Sequence, residues 1–339
     1  MGEGRSKYLV RVENLYKWFP VRKSILEAII RGERIYVKAV DGISFSVKRR
    51  EIFVLAGESG SGKTTTGKVL VGLEKPTRGR IFYDGMDISK IKLSEWKKVG
   101  LRRKIQMIFQ DPYEGLNPRQ KVVDIIAEPL IVNKVVDSKK EIEERVFKIL
   151  EEVKLTPPEE FAYRYPHQLS GGQRQRVSIA RAMVLEPEFV VADEPVSMVD
   201  ASIRASVLDL LMYFREKKGI TYLYITHDLA TARYIGDNIA IMYLGKIVER
   251  GPVDKVVGDP QHPYTRALVS SIPVPDPKYA REKKRLELRG EIPTAINPPR
   301  GCRLHPRCPF AMDICSKSEP PEVEVSGEHR VSCWLYSKH

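Results

Sequence analysis

An apolar run, IFVLAG from Ile52 to Gly57, leads directly into Gly57-Glu58-Ser59-Gly60-Ser61-Gly62-Lys63-Thr64, and no other stretch of the 339 residues constrains the fold as tightly. A short apolar segment ended by glycines reads as a buried strand entering a turn, and TTTGKVLVGL beyond it has helical character. The spacing is GxxxxGK[ST]. Glycines let successive backbone N–H groups turn inward, and the N-terminus of the next helix adds its dipole, so the turn is a cradle for phosphate. Lys63 is expected to reach the β- and γ-phosphates and Thr64 to ligate Mg²⁺, with the adjoining Thr65 also in the nucleotide-binding set. A glycine turn before an ordinary helix is the bland alternative. Four fixed positions arise by composition in roughly 1% of chains this long, and the strand–loop–helix context argues against that alternative here.

Two further apolar runs behave as buried strands. FVVAD (Phe189 to Asp193) precedes a loop and an amphipathic stretch from Ser202 to Lys218, and ITYLYIT (Ile220 to Thr226) follows at once. Short apolar strands alternating with helices imply a parallel sheet covered on both faces. Asp193 and Glu194 then lie at the C-terminal end of a strand, where ligands of open α/β sheets sit. Asp193 is the candidate Mg²⁺ partner, and Glu194 is placed to polarise an attacking water. Acidic residues often end strands in solvent, so the pair gains meaning only beside the phosphate cradle. His227 ends the next strand. A histidine there is more often structural, but this sheet edge makes it a candidate contact for the γ-phosphate.

Between Trp96 and Leu185 the stretches EIEERVFKILEEVKL and RQRVSIARAMVL have helical periodicity and strand signal is scarce. The second is opened by Leu169-Ser170-Gly171-Gly172-Gln173, a serine and glycines that cap a helix and expose N–H groups to an anion. LSGGQ, about twenty residues ahead of FVVADE, resembles the signature of the ABC ATPases. The remaining motifs of that family follow in order. Gln110 in MIFQDPYEGLNP resembles the Q-loop, which senses Mg²⁺ and faces the membrane partner; Ser197-Met198-Val199-Asp200 resembles the D-loop; His227 matches the switch histidine. Met198 and Val199 depart from the usual SALD, while Asp200 is kept. Arg50 stands where the family often has glycine. For the aromatic that stacks on adenine, Phe19 is the choice, with Trp18 and Tyr16 as rivals and a core aromatic as the alternative for each.

The resemblance implies a P-loop NTPase (RecA-like) fold: an α/β nucleotide-binding core from 1–95 and 186–250, a helical subdomain from 96–185, and a small C-terminal extension from 251–339. It implies ATP hydrolysis with Glu194, His227 and Gln110 as the catalytic set. Thr64, Gln110 and Asp193 would hold Mg²⁺, and Leu169–Gln173 would reach the ATP of an opposite subunit. The tail, with His262-Pro263-Tyr264-Thr265 and GEIPTAINPPRGCRLHPRCP, is similar to the C-terminal extension of oligopeptide/dipeptide importers. Relatives with such tails also carry nickel or oligosaccharides. The expected partners are a second, distinct but related ATPase forming a heterodimer (intact motifs leave a homodimer open), two transmembrane permease subunits and an extracytoplasmic solute-binding protein. The expected place is the cytoplasmic face of the membrane.

All four cysteines fall in this tail as C-x5-C-x6-C-x17-C: Cys302, Cys308, Cys315 and Cys333. Four thiolates suit a tetrahedral zinc or a [4Fe–4S] cluster, spacing wider than CxxC favours the cluster, and unligated thiols or bridges are the remaining alternative. Some members of the resembled importer family carry such a cluster, here expected to staple a unit too small for a core of its own.

Lysine and arginine number 57 against 44 acidic residues, a net charge of +13. Small basic clusters near Arg49-Arg50, Arg102–Lys104 and Lys283–Arg285 are spread along the chain, so no nucleic-acid partner is expected. No apolar run approaches the ~18 residues of a membrane span, and the N-terminus lacks a secretory pattern. The rival reading is a soluble ABC ATPase acting on nucleic acid or the ribosome. Such proteins usually have a long coiled-coil insertion or two ATPase halves, and this chain has neither.

Overall fold

A computed structural model describes residues 6–21, 35–136, 138–272 and 286–337. Pro273, Pro275, Pro277 and the basic cluster Lys283–Arg285 lie outside the described residues. Twelve strands run in chain order among those described: β1 (Tyr8–Pro20), β2 (Tyr36–Lys48), β3 (Ile52–Ala56), β4 (Arg78–Tyr83), β5 (Met86–Asp87), β6 (Ile105–Ile108), β7 (Phe189–Asp193), β8 (Thr221–Thr226), β9 (Asn238–Tyr243), β10 (Lys246–Pro252), β11 (Glu322–Ser326) and β12 (His329–Ser332). They form an eight-stranded sheet, β11-β12-β10-β9-β3-β8-β7-β6, and a four-stranded sheet, β2-β1-β4-β5.

The centre of the large sheet is parallel, β3 pairing with β8 and β9, and β7 with β6 and β8. Every residue of β3, β7 and β8 is buried, as a sheet covered on both faces requires. Alternation divides these strands between two cores. Ile52, Val54, Ala56, Tyr222 and Tyr224 pack into one, with the helices of 122–218. Phe53, Leu55, Leu223 and Ile225 pack into the other, against the antiparallel sheet.

Four features differ from the sequence expectation. The sheet is mixed, because β10, β12 and β11 add an antiparallel flank to β9. The N-terminal third supplies a separate antiparallel sheet as well as β3. Within the stretch expected to be helical, β6 forms the far edge of the parallel sheet; its four residues include only two that are fully buried, too few to read as a strand. The tail joins the main sheet through β10–β12 instead of standing apart. Among the described residues no helix is long and apolar enough to cross a membrane.

Candidate nucleotide-hydrolysis site

The glycine-rich turn closes on backbone alone. Gly57 has φ 150° and Gly62 φ 106°. A Cβ on Gly57 would come within 2.2 Å of the Met242 carbonyl oxygen, and one on Gly62 within 2.1 Å of that of Ala39. A side chain at either position would displace main chain, so only glycine fits. Gly62 caps the helix Lys63–Leu70. Lys63 is buried, and its Nζ donates to the carbonyls of Gly57 at 2.7 Å and Glu58 at 2.9 Å. Burial pulls its pKa down, against the pull of the Glu194, Asp193 and Glu58 carboxylates. An ammonium held on carbonyls at the mouth of the turn is ready to exchange them for phosphate oxygens.

Thr64 Oγ1 donates to Asp193 Oδ1 at 3.1 Å, bringing the helix start onto the end of β7. Burial pushes Asp193 up to about 6, offset in part by the Thr64 hydrogen bond. A hydroxyl and a carboxylate meeting here are hard oxygen donors, which fit Mg²⁺. Glu194 follows in the left-handed region at φ 44°, a conformation uncommon outside glycine that turns the chain sharply off the strand. Its N–H is tied to the Ile225 carbonyl at 2.9 Å. Its Oε2 meets His227 Nδ1 at 2.9 Å and accepts from Gln110 Nε2 at 3.3 Å. The three residues expected to catalyse, from three separate segments, converge on one carboxylate oxygen.

Ser170 caps the helix Gly171–Met183, accepting from the Gln173 N–H while the Gln173 side chain accepts from the Ser170 N–H at 2.9 Å. This reciprocal box exposes Ser170 and Gly171. Gly172 lies against Ile203 and Gly171 nears the Met198 carbonyl, so the signature stands beside the D-loop, and Asp200 caps the helix Ala201–Lys218. The Arg174 guanidinium hydrogen-bonds the Tyr113 hydroxyl, linking the signature helix to the segment after Gln110. On β1, Trp18 donates its indole N–H to Asp41 at 2.8 Å and packs edge-on to Tyr16. Phe19, the next residue, lies on the opposite face of the strand.

The cysteine expectation finds no support in the structure. Among the described residues no group of three or more His, Cys, Asp or Glu side chains is arranged to hold a metal ion, so neither the [4Fe–4S] cluster nor the zinc alternative is supported. Cys302, Cys308, Cys315 and Cys333 are free, and the Cys302 N–H donates to the Cys315 carbonyl at 2.8 Å. Burial first, then the neighbouring sulfurs, pushes Cys302 up to about 12 and Cys333 to about 11, and burial raises Cys308 too. The thiols pack as small apolar groups, Cys308 in the main core.

Sequence reasoning missed a set of contacts from the tail. The Tyr264 hydroxyl accepts the Glu58 N–H at 2.8 Å, and Arg307 Nη1 lies 3.5 Å from Glu58 Oε2. Arg303 hydrogen-bonds Asp41 and the Leu244 carbonyl. Tyr264 and Glu58 stand 206 positions apart, and no local pattern announces such a pair.

Residues 40–197 match the family model described as ABC transporter, and residues 248–315 match that of the oligopeptide/dipeptide transporter C-terminal region. Over 337 residues, 99% of this chain and 100% of the relative, it is 43% identical to the oligopeptide transport ATP-binding protein AppF of Bacillus subtilis (strain 168). The chain belongs to the ABC transporter ATP-binding protein family. It is 42% identical to the dipeptide transport ATP-binding protein DppF of Haemophilus influenzae (strain ATCC 51907 / DSM 11121 / KW20 / Rd), covering 96% of each chain. Its fold is similar to that of MJ0796, an ATP-binding cassette solved as a post-hydrolysis dimer bound to ADP and Pi. The TM-score is 0.62 at 30% identity, covering 72% of this chain and 98% of that one. This ABC subunit is accordingly an ATPase with a P-loop NTPase fold, binding ATP with Mg²⁺.

Proposed function

We propose that this ATPase energises a peptide importer from the cytoplasmic face of a membrane. It pairs with a second, related ATPase subunit and drives two permease subunits supplied by an extracytoplasmic solute-binding protein. The cargo class rests on relatives named for oligopeptide and dipeptide transport and on the matching C-terminal region. In this reading 1–95 and 186–250 form the nucleotide-binding core, to which β6 also contributes. The rest of 96–185 forms the helical subdomain, and 251–339 the extension.

The observation that carries the catalytic reading is the meeting of Gln110 and His227 on Glu194, beside the Thr64–Asp193 contact. The Gly57–Thr65 turn holds the phosphates and Phe19 stacks on the base. Lys63 shifts from the Gly57 and Glu58 carbonyls onto the β- and γ-phosphates. Glu194 accepts a hydrogen bond from the attacking water and orients it in line with the γ-phosphate, while His227 and Gln110 hold that carboxylate in place. Thr64, Asp193 and Gln110 would hold Mg²⁺, which when bound neutralises charge on the phosphate oxygens. Leu169–Gln173, at the exposed start of the helix Gly171–Met183, serve the ATP of the opposing subunit, so each site is built from two chains and closure transmits force to the permeases.

Glu194→Gln tests the core of this reading. It keeps the shape and removes the charge, so hydrolysis should fall at least ~100-fold while ATP accumulates in a stable two-subunit complex by size-exclusion chromatography. Hydrolysis at the wild-type rate would remove Glu194 from the mechanism. Peptide uptake by vesicles containing the assembled transporter tests the cargo, and uptake of a sugar but no peptide would overturn it.

A further inference from the structure

The C-terminal extension grips the nucleotide site itself. Tyr264 is fully buried on the helix Pro263–Ser270, its ring 4.7 Å from that of Tyr243. Its hydroxyl receives the Glu58 N–H, while the Glu58 carbonyl receives Lys63 Nζ at 2.9 Å. The second residue of the phosphate turn is thus held at both its N–H and its carbonyl. The side chain of the same residue faces Arg307, which also donates to the Tyr243 hydroxyl at 3.4 Å. From the same loop, Arg303 hydrogen-bonds Asp41 on β2, whose second oxygen takes the Trp18 indole N–H. The Ala295 carbonyl accepts the Lys38 N–H at 2.9 Å. Two residues of one loop, Arg303 and Arg307, therefore reach Asp41 on β2 and Glu58 in the phosphate turn.

We propose that Tyr264 and Arg307 are positioning residues for ATP, fixing Glu58 so that the phosphate turn is formed before nucleotide arrives. The proposal rests on the reading that this turn holds ATP. When Lys63 leaves the Glu58 carbonyl for phosphate, the tyrosine hydroxyl is the contact that keeps the turn in shape. A turn already in its bound form loses less freedom on binding, and that gain is felt by bound substrate and transition state alike. Loss of Tyr264 should weaken affinity and spare turnover.

The test uses the full chain, with equilibrium binding of a fluorescent N-methylanthraniloyl-ATP and of the matching ADP, steady-state hydrolysis, and thermal melting. Tyr264→Phe should raise the Kd for both nucleotides about five- to tenfold and raise KM in step, with kcat within about twofold. Arg307→Gln should raise Kd severalfold, and Arg307→Lys should recover most of the loss. Arg250→Ala is the comparison: it cuts the Arg250–Glu322 ion pair, which ties β10 to β11 outside the site. It should lower the melting temperature and leave Kd unchanged. The proposal is overturned by either of two results. One is a Kd for Tyr264→Phe and Arg307→Gln within twofold of wild type; the other is a rise in Kd that tracks lost melting temperature in all variants, Arg250→Ala included. Lys63→Ala separates the two readings, because an ATP affinity equal to wild type in that variant refutes the phosphate turn as the ATP site, whatever Tyr264 does.

Discussion

The Thr64 hydroxyl donates to Asp193 Oδ1 at 3.1 Å, joining the first turn of the phosphate-loop helix to the end of β7. In the proposed mechanism this contact is where Mg²⁺ would be held, because both groups are oxygen donors. Asp193→Asn should abolish most Mg²⁺-dependent hydrolysis, a loss of at least ~100-fold. Binding of ATP in EDTA should change little, which nucleotide titration with and without Mg²⁺ can measure.

His227 is half exposed, while the Glu194 carboxylate it meets is largely covered. In the proposed mechanism it orients that carboxylate and contacts the γ-phosphate. His227→Ala should lower kcat by ~10²-fold or more with a smaller change in KM. Single-turnover hydrolysis would expose an error, since a full-rate chemical step leaves the histidine no such part.

Gly62→Ala puts a methyl group about where the Ala39 carbonyl oxygen already stands, at a φ of 106°. The turn must move or β2 must. We expect at least ~2 kcal/mol of lost stability, read by urea denaturation, together with loss of nucleotide binding.

His262 is buried at the start of the helix Pro263–Ser270, with Nδ1 accepting the Tyr264 N–H at 3.1 Å. Burial, helped by Arg266, pulls its pKa down to about 3. The unfolded chain, with a histidine near ~6.5, therefore takes up the proton first. This group leaves stability flat above pH ~6.5 and lowers it as pH falls towards 3, by at most about 1.4 kcal/mol per unit. His262→Asn keeps a capping acceptor and removes the titration. Its melting temperature should fall less steeply than wild type between pH 6.5 and 5, and identical slopes would count against the assignment.

The parts of the site written in consecutive residues are legible in the amino-acid sequence. The Gly57–Thr64 turn, the Asp193-Glu194 strand end and the Ser170 cap each carry their chemistry within one turn of chain. Their meeting is legible only through family resemblance, since Gln110 and Glu194 are separated by 84 positions and brought together by the pairing of β6 with β7. β6 itself is hidden because Ile105–Ile108 is brief, half covered and preceded by Arg102–Lys104. The cysteines mislead for a different reason. Spacing can propose a set of ligands, but it does not fix how the four side chains meet, and among the described residues no metal-holding group is arranged.

The thiols give a direct check. In the native chain at pH 7 they should react with a maleimide far more slowly than free cysteine, and all four should react at once on unfolding. Rapid labelling of Cys302 or Cys333 in the native protein would contradict their protonated, enclosed state.

β10 has a neighbour on each side, β9 from the nucleotide core and β12 from the tail, and the fully buried Glu249 on it is paired with His329 at 2.7 Å. A chain shortened ahead of residue 286 would therefore bare a row of unpaired amides and carbonyls and strip an enclosed carboxylate of its histidine. Open strand borders of that kind recruit other chains. Attempts to simplify this protein by trimming its last segment should yield a sticky, self-associating product, and the tail is better treated as part of the floor on which the machinery stands.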